Sequence, residues 1–80
     1  MPYIPQQQRD YITVTRTATD PGSLNYQITT AIKNYLKAYG TNYNTMNDIV
    51  GVLESAKLEF YRRIVAPYEN TKIDQNGDVY

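Results

Sequence analysis

Thr45-Met46-Asn47-Asp48-Ile49-Val50-Gly51-Val52-Leu53-Glu54-Ser55-Ala56-Lys57-Leu58-Glu59-Phe60-Tyr61-Arg62-Arg63-Ile64-Val65 is the stretch whose reading decides the fold. Within it Met46, Ile49, Val50, Leu53, Ala56, Phe60 and Ile64 recur at steps of three and four, the period that lines one face of an α-helix. Leu53 sits at the centre of that stripe and reads as a buried side chain. A second apolar row, Val52, Leu58 and Val65, falls partly off the stripe. One neighbouring helix leaves that row uncovered, so a further surface is required, from a third helix or from another copy of the chain. Pro67 is expected to end the helix, because proline lacks the amide donor and biases the residue before it away from helical geometry. Gly51 costs about 1 kcal/mol relative to alanine inside a helix, and close approach of another backbone is the expected reason for it.

Upstream, Asp20-Pro21-Gly22-Ser23 is a turn cluster whose serine is a good helix N-cap, so a helix is expected to begin near Leu24. Leu24, Ile28, Ala31, Ile32, Tyr35, Leu36 and Tyr39 keep helical spacing up to Gly40, where a glycine C-cap is expected. The link Gly40-Thr41-Asn42-Tyr43-Asn44 is short, with Asn44 or Thr45 capping the next helix. Short links between amphipathic helices make antiparallel neighbours. The expected fold is therefore all-α: an antiparallel αα-hairpin over about 24–39 and 45–65, forming a single small domain over 1–80. Ahead of it, Tyr3 to Asp20 reads as a short helix opened by Pro5, then an irregular or extended piece in which Ile12 to Thr17 alternates as a strand would. Behind it, the tail turns at Asn76-Gly77, and Val79 and Tyr80 are expected to dock on the helices.

Composition narrows the chemistry. A chain of 80 residues with no cysteine has no disulfide to supplement a small core, and self-association is the common substitute. With no histidine either, zinc ligands and the usual general base near neutral pH are both missing, so no metal or cofactor is expected. Formal charge is zero with acids and bases interspersed, which is not the footprint of a nucleic-acid binder. An apolar run long enough for a membrane span is lacking, and so is a basic-then-apolar leader; the cytoplasm is the expected location. Tyrosine is enriched, with nine against one phenylalanine and no tryptophan, and a ring with a polar end suits interfaces and ligand pockets.

Several constellations of charged and aromatic residues have simpler readings beside a functional one. Glu54 with Lys57, and Glu59 with Arg62 or Arg63, have the spacing of ion pairs on a solvated helix face. Because Glu59 is expected to satisfy only one arginine at a time, the other guanidinium is available to an anion. The candidate ligand residues are Arg62, Arg63, Tyr61, Tyr26 and Lys57; no catalytic residue is assigned. Asp48, Glu54 and Glu59 would be the acidic set of a magnesium-dependent nucleotide hydrolase, yet a step of five turns Glu54 and Glu59 apart. Asp74-x-Asn76-Gly77-Asp78 is better explained as turn chemistry than as part of a calcium loop. Tyr68-x-x-x-Lys72 has no glycine-rich strand-to-helix turn beside it and carries no dehydrogenase reading. Tyr35, Tyr39 and Tyr43 beside Lys33 and Lys37 could stack bases, although packing on the hairpin explains them more simply.

Leu24-Asn25-Tyr26, the run from Asn47 to Arg63, Pro67-Tyr68-Glu69 and the terminal Asn76-Gly77-Asp78-Val79-Tyr80 resemble a small family of uncharacterised proteins found in bacteriophages and bacterial genomes. The resemblance covers Leu24 to Tyr80 and is weakest over Thr13 to Thr19. It implies a setting rather than a reaction: short phage proteins without catalytic groups act by binding. The function expected from these readings is a non-enzymatic, self-associating protein that sequesters an anionic nucleotide signal of host antiviral defence. An inhibitor or adaptor acting on a host protein is the alternative, and the magnesium-dependent hydrolase a second one.

Overall fold

The computed structural model describes residues 16–80, all of whose regular structure is helical. Helix α1 spans Pro21–Tyr39 and helix α2 spans Tyr43–Phe60. A π-helical turn, Tyr61–Val65, follows directly and runs into α3, Ala66–Asn76. The helix, short link, helix order expected for a hairpin is present. The expectations for Tyr3 to Thr15, including the helix opened by Pro5 and the alternating piece, lie outside the described residues. By its contacts the chain divides between Ile49 and Val50 into two units, and each is described by itself.

In the first unit, α1 begins three residues before the position expected from Ser23. Asp20 is the N-cap: its backbone is extended and its carboxylate accepts from the Ser23 amide at 2.7 Å. Pro21 then occupies the first turn, where its missing N–H would have had no helical partner and its fixed φ suits the helix. The other end falls where the spacing places it, at Tyr39. Gly40 closes the helix with φ 89° and ψ 156°, its amide donating to the Leu36 carbonyl, a backbone region that side chains with a Cβ rarely enter. Asn42, rather than Asn44 or Thr45, starts α2. Its Oδ1 accepts from the Thr45 amide at 2.9 Å, while its Nδ2 donates back to the Tyr39 carbonyl at 3.2 Å, so one side chain fastens both sides of the link.

The second unit corrects the reading of Pro67. The chain stays helical past it to Asn76, and Gly77, with φ 85°, is the actual stop. What makes Pro67 tolerable is the π turn ahead of it. The Ala66 amide donates to the Tyr61 carbonyl five residues back, so the ladder is already widened by one residue where the proline amide is missing. Residues 68–76, expected as tail, are therefore helix. Val79 and Tyr80 are fully exposed and dock on nothing, contrary to the expectation from their apolar character.

Burial brings the largest correction. Among the described residues no apolar side chain is buried, and Thr45 alone falls in the buried class. Leu53, expected at the centre of a core, is 39% exposed, and Met46, Val50, Phe60 and Ile64 of the same stripe are more exposed still. Val52 and Leu58 are uncovered as expected, whereas Val65 is half-buried. Among the described residues nothing lies within 4 Å of the place a Gly51 Cβ would occupy, so no close backbone there explains it.

Two outcomes follow from these local features. Gly51→Ala should raise stability by about 1 kcal/mol, read from thermal melts by circular dichroism, because it removes a helix penalty and meets no neighbour. The Ser23 amide holds the Asp20 carboxyl below its ordinary value. A depressed carboxyl stabilises the fold above its unfolded pKa, and that contribution is lost as pH falls through the folded value. The α1 helix signal should thus decline in acid, and Asp20→Asn should remove that part of the decline.

Candidate functional site

The densest polar arrangement lies in the second unit, along the end of α2 and the π turn. Glu59 is only 17% exposed, and its two carboxylate oxygens are each taken by a different arginine: Arg62 Nη2 on Oε2 and Arg63 Nε on Oε1. A carboxylate has acceptor sites on both oxygens, so the fork is chemically ordinary. It corrects the expectation that one arginine is left over. The spacings i,i+3 and i,i+4 bring both guanidiniums to the same carboxylate from adjacent positions on the next turn. Their side chains nevertheless remain 75% and 65% exposed.

Beside the fork, the Tyr61 hydroxyl donates to Glu69 Oε2 at 3.1 Å, a bond that reaches over the whole π turn to α3. That bond, and the nearby negative charge, push the Tyr61 phenol above its ordinary value. Thr71 donates its hydroxyl to the Pro67 carbonyl at 3.1 Å, and Lys72 lies over the Tyr68 ring at 5.5 Å. One turn before the fork, Lys57 is paired with Glu54 at 3.0 Å. Of the five candidate ligand residues, Lys57, Tyr61, Arg62 and Arg63 thus follow one another along a single helical stretch, each with an acidic partner. Tyr26 belongs to the first unit, on α1, and is well exposed.

A different feature lies on α1, in the row whose spacing reads as the packing side of the hairpin. Leu24, Ile28, Tyr35 and Tyr39 lie along one side of the helix, all exposed, with the Tyr35 and Tyr39 rings in tilted contact at 4.7 Å. Helical spacing flags these residues, but only the structure shows that the side they share is open rather than buried. No group of three or more acidic side chains among the described residues is placed to hold a metal ion, so Asp48, Glu54 and Glu59 do not form one. No helix of the described residues is long and apolar enough to cross a membrane.

The second unit thus holds a chain of surface ion pairs, and the first an open apolar helix side. The chain belongs to the family described as Domain of unknown function (DUF6899), whose profile matches residues 1–79. The match takes in Thr13 to Thr19, the piece in which the resemblance read from the sequence is weakest. Neither a curated protein nor a solved structure matches the chain.

The Tyr61–Glu69 bond gives a spectroscopic test of the π-turn geometry. Glu69→Gln should bring the Tyr61 ionisation back down toward the ordinary phenol value, followed by ring resonances across an alkaline titration. In the parent, the raised phenol pKa means that the stabilisation is present below the unfolded value and is lost as pH rises through the folded one.

Proposed function

We propose that the chain is a non-enzymatic interaction protein that presents α1 as a helical ligand to the groove of a protein partner. One observation carries this reading: the exposed row Leu24, Ile28, Tyr35 and Tyr39 along one side of a capped helix. Leu24, Ile28, Ala31 and Tyr35 fall at i, i+4, i+7 and i+11, the spacing with which an amphipathic helix seats its apolar side in a groove. Tyrosine suits the role because its ring buries much area for few rotatable bonds while its hydroxyl keeps a polar contact. In the bacteriophage and bacterial setting that the sequence resemblance implies, the partner is a host protein that the chain blocks or adapts, in the host cytoplasm. No reaction is part of this reading, and the magnesium-dependent hydrolase gains no acidic site to support it.

Sequestration of an anionic nucleotide is the second reading, favoured by the two exposed guanidiniums that converge within one turn. A phosphate competing for them must displace Glu59, a partly buried carboxylate that already occupies both. This competition ranks the nucleotide below the protein partner.

Pull-down from bacterial host lysate with the tagged chain should retain a specific protein, and Ile28→Asp should abolish retention while leaving the helical signal intact. Retention of nothing, or retention indifferent to Ile28→Asp, overturns the reading. Calorimetry with a cyclic oligonucleotide tests the second reading. If it holds, Glu59→Gln tightens binding by freeing the guanidiniums, and Arg62→Lys or Arg63→Lys weakens it nearly as much as alanine does.

A further inference from the structure

The second unit carries an apolar seam of its own, and the π turn decides which residue continues it near Pro67. Leu53, Ala56 and Phe60 follow the three-four step of a coiled-coil seam. Ile64 continues that side at a step of four, and in an unbroken α-helix the position after it would be Pro67. A turn closed five residues back takes one residue more than an α turn, so the sequence is delayed by one. Tyr68 then falls on the seam in place of Pro67, four residues after Ile64. Val50 flanks the same side one turn earlier.

These side chains are open: Val50 is 66% exposed, Leu53 39%, Phe60 59%, Ile64 58% and Tyr68 62%. Together they present on the order of 500 Å² per chain, so two copies meeting seam to seam remove on the order of 1,000 Å², the scale of a specific interface. No apolar side chain among the described residues is buried, so nothing described covers the seam. We infer that the stretch from Val50 to Tyr68 is a self-pairing surface whose occupant is the same stretch of a second copy of this chain. A two-fold pairing needs one self-complementary surface on both partners, and a second copy presents the same apolar row by construction. The inference goes beyond the docking reading, which concerns α1, and does not depend on it.

The test is the mass of the intact chain by sedimentation at micromolar concentration, with circular dichroism on the same samples. The parent should have twice the chain mass, and its helical signal should fall on dilution together with that mass. Phe60→Asp, which puts a charge in the seam, should weaken pairing at least about 100-fold. Leu58→Asp alters an exposed residue well off the seam and should pair like the parent. Should Phe60→Asp only unfold the chain, the dilution series of the parent still decides. A fully helical chain of single mass overturns the inference, as does loss of pairing in Leu58→Asp with retention in Phe60→Asp. Because pull-down reads the α1 partner separately, a monomer that still captures a host protein defeats the seam and leaves the docking reading standing.

Discussion

Helices that bury no apolar side chain must be held by something other than a core, and everything else in the described structure answers to that constraint. Within the chain, the available means are local. Asp20 and Asn42 satisfy amides at the starts of α1 and α2, Gly40 and Gly77 satisfy carbonyls at the ends of α1 and α3, and short-range ion pairs line the second unit. Exposed pairs of this kind contribute a few tenths of a kcal/mol each, and caps about 1 kcal/mol. Such terms shape helices more than they keep them folded, since isolated helices of this length are marginal in water.

Where local chemistry decides, the sequence was legible. The spacing from Leu24 to Tyr39 and the stop at Gly40 each depend on a few neighbouring residues, and each stands where it was read, whereas Gly77, read as part of a turn within a tail, is the stop of α3. The starts of the helices were less legible because two good caps lie close together. Ser23 and Asp20 both suit the role, and the choice fell to Asp20 because Pro21 is a better first-turn residue than a preceding loop residue. Pro67 was misread for a related reason. A proline is judged against an α-helical ladder, and nothing in the pattern of side chains announces that the ladder has widened just before it.

The candidate site shows the same division. The ion pairs were readable from spacing, whereas the sharing of one carboxylate by two arginines depends on side-chain placement that spacing leaves open. Burial was the least legible property of all. Periodicity tells which side of a helix is apolar, but whether that side is covered is decided by partners, and a periodic stripe looks identical in a closed core and on an open seam. Leu53 and Gly51 were both assigned neighbours that the described residues do not provide.

The π turn separates the long helical stretch into two rotational frames. A helical wheel drawn from Tyr43 to Asn76 with one constant angle would place residues before Tyr61 correctly and rotate those after Val65 by most of one residue step. Tyr68 and Lys72 would then be projected away from the side they share with Phe60, and the apolar direction of α3 would be misassigned. Composition and periodicity computed across that boundary average two phases into one, which makes a coherent surface look like a weak one.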